Sequence, residues 1–310
     1  MVNFRQLRYF VAIVDAGSVT KAAQVLHIAQ PSLSLHMTTL ESELGTQLLN
    51  RSVRGVSPTQ AGWAVYRHAQ FILKLTAQTT DIALGSSVEV SGRVRVGMPP
   101  SIAMIVAAPL LSTLYREFPG ILVELYENSS THLTAELFDE RVDLSVMIDR
   151  LPSASIALRP LFDERLFLVY RGPSTGAKPT LENVALMPLV LSPRSTRLRH
   201  TLDAAFASAS LTPRVVAETS IATLLNVVTQ CEMATLVPSS ALSRTTLSSD
   251  LCIEPLEPAI WRRAVLAWSR QLELTEATRC VRDAIVRTVH HLVASGEWCD
   301  VQIAAEESPI

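Results

Sequence analysis

The chain has no uninterrupted apolar run near the roughly 18 residues that a bilayer-spanning helix needs, so no membrane association is expected. Its four cysteines, Cys231, Cys252, Cys280 and Cys299, are scattered and form no CxxC pair. That spacing argues against a disulfide scaffold or a zinc site and fits a reducing cytoplasm, with a redox-sensing pair as the remaining alternative. There is no GxSxG, no HExxH, no Walker loop and no GxGxxG following a strand. The seven histidines show no metal spacing, since His290 and His291 are neighbours on the expected last helix. No enzyme, cofactor or metal site is expected. The chain also lacks a dominant charge: the net value of -2 neither suggests nor excludes a nucleic-acid partner, and local charge must decide.

At 310 residues with 48% hydrophobic and 18% charged content, the chain suits a globular protein of about two domains. At the N-terminus Arg5 and Arg8 precede a short apolar run broken by Asp15, which reads as an amphipathic helix and not a signal peptide. Phe4, Leu7, Val11 and Val14 mark its stripe, and Gly17 ends it. Ser18 is a candidate N-cap for a second short helix through Ala22, Ala23, Val25 and Leu26. A third helix follows, with Leu33, Met37, Leu40 and Leu44 on one buried face and Pro31 in the first turn, where a missing N–H costs little.

The opposite face of that third helix carries Pro31, Ser32, Ser34, Leu35, Thr38 and Thr39. A solvated face would normally carry Glu and Lys. Short hydroxyl groups and an exposed leucine instead permit close approach to another surface. A DNA major groove is such a surface: Ser, Thr and Gln read base edges and phosphates there, and apolar groups touch thymine methyls. Two helices joined by a tight turn in this way form a helix-turn-helix; a small helical bundle with a bland surface is the alternative. Arg51 and Arg54 then flank a turn at Gly55, on a hairpin suited to phosphates or a minor groove. Residues 1–60 carry Arg5, Arg8, Lys21, Arg51 and Arg54 against Asp15, Glu41 and Glu43. So small a basic excess gives weak affinity per copy and points to a dimer.

The segment FRQLRYFVAIVDAGSVTKAAQVLHIAQPSLSLHMTTLESELGTQLLNRSVRGVSPTQAG resembles the winged helix-turn-helix of LysR-type transcriptional regulators. The strings that carry the likeness are GSVTKAAQVLHIAQPSLS, LESELGTQLLNR and SPTQAG. Within the family it is most similar to the nitrogen assimilation control branch, through LRYFVAIVDAGS, LHIAQPSLS and RGVSPTQAG. The resemblance implies a helix-turn-helix from about Ser18 to Met37, with Gln30, Pro31, Ser32, Ser34, Leu35 and Thr38 at the DNA and Arg51 and Arg54 in the wing. The chain departs from the family at Leu35, where many members have Arg, near Thr38, where Arg or Lys is common, and at Ala29, where Ser often caps the helix.

From Thr59 to about Gly85 an unbroken helix carries Trp63, Tyr66, Ala69, Ile72, Leu73 and Leu84. A stripe of that length needs a partner. One reading packs it on its own domain; the family implies antiparallel pairing with the same helix of a second subunit. LGSSVEVSGR then reads as a hinge. Beyond it, strands and helices alternate: RVRVGMP, SIAMIVAAPLLSTLYREFPG, ILVELYENS, THLTAELFDE and VDLSVMID, then RLFLVYR, PLVLSP, a helix from about Thr196 to Ser210, RVVAETS, a helix from Ile221, TLVP, AVLAWSR and a final helix from Glu273 to Ala294. Such alternation predicts parallel sheet with right-handed crossovers.

The expected class is therefore α/β overall: a mostly helical winged helix-turn-helix at 1–58, a linker helix and hinge at 59–90, and an effector domain at 91–310. By the family resemblance the last is a two-lobed, type 2 periplasmic-binding-protein-like fold, lobe 1 at about 91–163 and 266–300, lobe 2 at about 164–265. Cys231 and Met233 stand where glycine is common in the family, so altered backbone geometry is expected there. Ligands of such folds lie between the lobes at helix N-termini, where free N–H groups favour anions. Ser101, Ser130, Thr131, Thr196 and Ser220 follow strands in this way and are the candidate effector contacts; each is alternatively a plain helix cap.

The implied function is a sequence-specific, LysR-type transcriptional regulator. It would bind double-stranded DNA as a homodimer or homotetramer, respond to a small effector (a carboxylate or other anion) and contact RNA polymerase, in the cytoplasm. An architectural DNA-binding protein without a ligand, or a small-solute-binding protein, are the alternatives. The first leaves a two-lobed domain without a role; the second leaves the helix-turn-helix without one.

Overall fold

The computed structural model describes residues 2–52, 55–84, 90–149, 153–174, 176, 178–242, 250–270 and 273–305. It divides into two units, Met1–Val88 and Glu89–Ile310.

In the first unit, α1 (Phe4–Ala16) starts at Asn3, whose side chain accepts from the Gln6 N–H while the Gln6 side chain accepts from the Asn3 N–H. This reciprocal cap satisfies two otherwise free donors. The buried residues of α1 are Gln6, Leu7, Tyr9, Phe10 and Ile13, whereas Phe4 is exposed and Val11 and Val14 are half-buried. The stripe expected from Phe4, Leu7, Val11 and Val14 is thus corrected by a rotation about the helix axis. The physical reason is that α1 packs on α2, α3 and α4 at once, so its neighbours decide which of its many apolar residues turn inward.

Ser18 caps α2 (Val19–Val25), accepting from the Lys21 N–H at 3.4 Å. The turn to the next helix passes through His27 in the left-handed region, φ 54°. α3 (Gln30–Leu44) begins at Ala29, which supplies no side-chain cap, with Pro31 in the first turn. Leu33, Met37 and Leu40 are buried as expected, but Leu44 is exposed; the helix stops at Gly45, so its last turn projects past the core. β1 (Leu49–Ser52) and β2 (Gly55–Pro58) form an antiparallel hairpin. Glu41 anchors it to α3 by accepting from the N–H groups of Leu48 and Leu49 at 2.8 and 3.1 Å. α4 (Gln60–Leu84) then passes so close to the hairpin that a Cβ on Gly62 would lie 2.0 Å from the Leu48 carbonyl oxygen. Tyr66 is buried in the same core and donates to the Asp15 carboxylate, tying α4 to α1. Ala69 is buried, whereas Trp63 and Ile72 are exposed; the side chain of Leu84 lies outside the described set.

The second unit opens with the expected alternation: β3 (Gly92–Met98), α5 (Pro100–Glu117), β4 (Ile121–Glu127), α6 (Ser130–Phe138) and β5 (Leu144–Ile148). It continues through β6 (Ile156–Arg171), α7 (Leu181–Leu186), β7 (Leu189–Leu191), α8 (Arg197–Ser208), β8 (Val215–Glu218), α9 (Ile221–Gln230) and β9 (Ala234–Pro238). β10 (Leu251–Pro255), β11 (Trp261–Ser269), α10 (Glu276–Ala294) and β12 (Val301–Ile303) complete it. The strand order is β4-β3-β5-β11-β6-β9-β7-β8, with β10 and β12 also on β6.

The sheet is mixed, which corrects the expectation of parallel sheet. β3 pairs in parallel with β4 and β5, and β7 with β8 and β9, but β6 and β11 run antiparallel to their neighbours. β6 is also far longer than the strand read from RLFLVYR, because the part before Arg165 contains Pro160, Asp163 and Glu164, which dilute the apolar pattern. That length matters. Phe162 belongs to one hydrophobic core, packed under α5 and α10, while Leu166 and Leu168 belong to a second, under α7 and α8. One strand therefore runs from lobe to lobe. β10 and β12, short and at the margins of the pattern, were not anticipated. Cys231 ends α9 in an ordinary extended conformation (φ -123°), so no backbone geometry reserved for glycine is needed there.

Candidate functional site

In the first unit the outer face of α3 presents Gln30, Pro31, Ser32, Leu35 and Thr38, all exposed, with Ser34 half-buried. Gln30 Nε2 donates to Ser34 Oγ at 2.9 Å, and the Thr38 hydroxyl donates to the Ser34 carbonyl at 3.2 Å. The Thr39 hydroxyl donates to the Leu35 carbonyl at 2.9 Å. These bonds lie along the helix surface, so each can be exchanged for a bond to an incoming acceptor at small net cost. Leu35 stands 68% exposed between them. Arg51 is exposed on β1, opposite Val56 in the hairpin; Arg54 lies outside the described residues.

In the second unit a cavity of about 220 Å³ opens between the two lobes. Pro99, Pro100 and Ser101 reach it from the start of α5, Ser129 and Ser130 from the start of α6, and Ile148 from the end of β5. The other wall holds Ser192 and Pro193 after β7, Thr196, Arg197 and Leu198 at the start of α8, and Ser220 and Ile221 at the start of α9. Arg262, on β11, completes the lining. Four helix N-termini thus converge on one space, and the strand ends deliver them there by connectivity alone.

Ser101, Ser130, Thr196 and Ser220 all line this cavity, while Thr131 does not. Their hydrogen bonds separate them further. Ser130 Oγ accepts from the Ile148 N–H at 3.0 Å, and Ser129 is the residue that caps α6. Thr196 caps α8, accepting from the Arg199 N–H at 3.3 Å. Ser220 bonds to the Thr223 hydroxyl at 3.1 Å and makes no cap bond to α9. Thr131 instead reaches across the lobes, donating to the Ser195 carbonyl at 3.5 Å. A second link crosses nearby, from the Thr201 hydroxyl to Asp149 Oδ2 at 3.2 Å.

Ser101 leads to a feature that the sequence reading missed. Its hydroxyl accepts from Arg262 Nη2 at 2.8 Å, and Arg262 is 3% exposed. Arg262 faces Glu164, which has no exposure at all, at 2.6 Å. Glu164 also accepts from the Ser240 N–H at 3.0 Å and the Ser239 hydroxyl at 3.4 Å, and Ser239 in turn accepts from Trp298 Nε1 at 3.0 Å. A continuous polar chain therefore runs from the cavity wall to Trp298, just past α10. The signal was present in the sequence: Arg262 alternates with Ile260 and Ala264, and Glu164 with Phe162 and Leu166, and all of these positions point inward. The register places Arg262 directly opposite Glu164. Arg197 was also missed, since nothing in RSTRLRH singles out one arginine. Beside it, hydrogen bonding from Arg199 holds the Glu218 carboxyl below the usual carboxylate range.

Among the described residues no cluster of His, Cys, Asp and Glu is arranged to hold a metal ion, and no helix is long and apolar enough to cross a membrane.

Two family models match. Residues 4–63 match the bacterial regulatory helix-turn-helix protein, lysR family, and residues 87–289 match the LysR substrate binding domain. Among curated proteins, the nitrogen assimilation regulatory protein nac of Escherichia coli K12 is 40% identical over 242 residues, 77% of this chain and 79% of that protein. A probable hydrogen peroxide-inducible genes activator of Mycobacterium leprae is 31% identical, covering 92% of this chain and 95% of its own. Among solved structures, a full-length OxyR variant from Pseudomonas aeruginosa superposes with a TM-score of 0.78 at 21% identity, covering 94% and 95% of the two chains. Full-length CbnR complexed with its target DNA gives 0.66 at 21% identity, covering 94% and 99%. These last two establish likeness of fold.

Proposed function

The chain belongs to the LysR family of DNA-binding transcriptional regulators, and from that premise we propose how its own residues serve regulation. The outer face of α3 enters a major groove, with Gln30, Pro31, Ser32, Ser34, Leu35 and Thr38 at the base edges and adjoining phosphates. Arg51 on the hairpin meets the flanking backbone, and Arg54 is assigned there with it. The observation that carries this reading is the exposure of Leu35 on a helix whose opposite face is locked into the core by Leu33, Met37 and Leu40. Against a thymine methyl such a leucine is covered.

Two copies, or four, act together in this reading. Ile72, exposed on α4, provides apolar surface for a partner helix, and pairing fixes two α3 helices at a set spacing, about 34–36 Å or a multiple of it. A small effector, a carboxylate or other anion, occupies the interlobe cavity, where Ser101, Ser130, Thr196 and Ser220 stand at helix N-termini. Thr131 acts at the cross-lobe link instead of at the ligand. Binding that favours one lobe arrangement shifts the population of quaternary states, and with it contacts to DNA and RNA polymerase. The assigned setting is the cytoplasm, with no catalytic step and no cofactor.

Footprinting of the purified protein on its host's sheared genomic DNA tests this, with and without small carboxylates and nitrogen metabolites. Discrete interrupted palindromes, some altered by an added metabolite, are the expected result. Diffuse, salt-sensitive binding without a recurring site would favour the architectural alternative and discard the sequence-specific one.

A further inference from the structure

We propose that the cavity of the second unit takes a small monoanion with an apolar body, and that Arg197 is the residue that reads its charge. This rests on the cavity being the effector site, and adds to that reading the number of charges, their sign and the residue responsible.

The argument begins with the charges around the cavity. Arg262 lines it, but Glu164 neutralises Arg262 from behind at 2.6 Å. That pair brings no net charge. Arg197 also lines the cavity and is half-buried, and its guanidinium has no acidic partner among the described residues. The acids nearby are committed elsewhere: Asp203 and Glu218 both take hydrogen bonds from Arg199, at 2.8 and 2.7 Å, and Glu218 also lies 3.7 Å from Arg194. Asp149 accepts from the Thr201 hydroxyl and from the Arg263 N–H. Asp149 meets only these neutral donors and keeps its own charge, but among the described residues no carboxylate lies within ion-pair distance of the Arg197 guanidinium.

The position of Arg197 adds to this. Arg197 is the first residue of α8, whose first turn contains no acid. A cation at a helix N-terminus opposes the helix dipole, and the three other helix starts around the cavity add to the same positive potential. An anion bound there relieves both. A second negative charge would find no second uncompensated cation, since Glu164 already holds Arg262. Arg262 still contributes geometry: Nε and Nη2 are used on Glu164, Ser101 and Ser240, while Nη1 has no acceptor among the described residues. The rest of the ligand meets Pro99, Pro100, Ile148, Pro193, Leu198 and Ile221, which recognise only apolar surface.

α8 also carries the lobe-to-lobe links. Ser195 just before it accepts from Thr131, and Thr201 within it donates to Asp149. An anion held by Arg197 therefore acts on the same element that joins the lobes, and favours the joined arrangement.

Benzoate, benzamide and benzamidine test the proposal, being close in shape but negative, neutral and positive. Phthalate supplies the dianion. Each is titrated into the full-length protein by calorimetry and thermal shift. Benzoate is expected to bind roughly tenfold or more tighter than benzamide, the scale of one charge-assisted hydrogen bond, with phthalate weaker than benzoate and benzamidine silent. Arg197→Gln should bring benzoate down to the level of benzamide, and Arg197→Lys should restore part of the difference. Equal binding of benzoate and benzamide, a preference that survives Arg197→Gln, or no binding of any probe at millimolar concentration would each overturn the proposal. Those results leave the regulator reading intact if genomic footprints remain discrete; loss of discrete footprints removes that reading whatever the probes do.

Discussion

On α3, Gln30, Ser34 and Thr38 bond to one another along an exposed helix, whereas in the cleft Ser101, Glu164, Ser240 and Arg262 bond to one another out of water. The first set sits in high dielectric and loses little when a bond is exchanged. The second sits where an unmatched charge costs several kcal/mol, so each member depends on the others. Under the proposed function, a surface that tries many base sequences needs the first arrangement, and a cleft that keeps one shape until a ligand arrives suits the second.

The sharpest break in this contrast comes from Arg262→Met. It strands Glu164, buried without counter-charge, and should cost about 3–5 kcal/mol in the second unit, read as a lower urea midpoint by tryptophan fluorescence. Pairing it with Glu164→Leu should recover most of that loss, because the charge that remained is removed with it. If the double variant is no more stable than the single one, the pair is not the fragile element described. No substitution on the outer face of α3 should approach this effect.

How far each region could be read from sequence follows from the same contrast. The exposed face of α3 was legible because local rules govern it: helix period, the Ser18 cap and the unusual run of small polar groups are all contiguous in the chain. Even there the orientation of α1 was not, since Phe4, Val11 and Val14 fit a helical stripe as well as Phe10 and Ile13 do, and only the packed neighbours decide. In the cleft, the helix starts at Ser101, Ser130, Thr196 and Ser220 were legible one by one, each following its strand. The Arg262–Glu164 pair joins residues 98 apart in sequence, and it becomes readable only when β6 is extended back through Glu164 and β11 is begun before Ala264. Recognising both strands at full length would have shown two opposite charges at inward positions. Arg197 carried no such signal; its significance lies in partners that its neighbours Arg194 and Arg199 have and it lacks.

Gly62→Ala sharpens the comparison from the other side. In the first unit α4 meets the hairpin backbone to backbone, and no charged side chain is fully buried among the described residues. A methyl group at residue 62 would overlap the Leu48 carbonyl, forcing α4 away from the hairpin at a cost of about 1–3 kcal/mol. The expected readout is a lower thermal midpoint for the first unit, with operator affinity falling as the hairpin loses its seat. Unchanged stability would mean that α4 and the hairpin separate freely, and that the hairpin is not held by this contact.

Smaller again is Arg51→Ala, which removes one charge and no packing. Affinity should fall by a similar factor on every DNA sequence, and the slope of log affinity against log salt should drop by about 0.9 for each DNA-bound subunit, one phosphate's worth apiece. An unchanged slope would take Arg51 out of the interface.

Leu35→Arg should change total affinity least and yet say most about the recognition face. The leucine offers a methyl-seeking surface, so its contribution depends on thymine at one step and vanishes elsewhere. An arginine at the same site carries a bidentate fork that prefers guanine, with about 1–3 kcal/mol of discrimination for a well-formed pair. Because residue 35 projects from a helix fixed by Leu33, Met37 and Leu40 on its other side, the exchange should leave α3 where it is and alter only what it reads. Selection from randomised DNA should therefore show one position in each half-site moving from thymine toward guanine, with the remaining positions unchanged and the best-site affinity within a few fold. If binding instead weakens alike on all sequences, residue 35 faces phosphate or solvent, and the α3 helix enters the groove at a different angle from the one its exposed leucine implies.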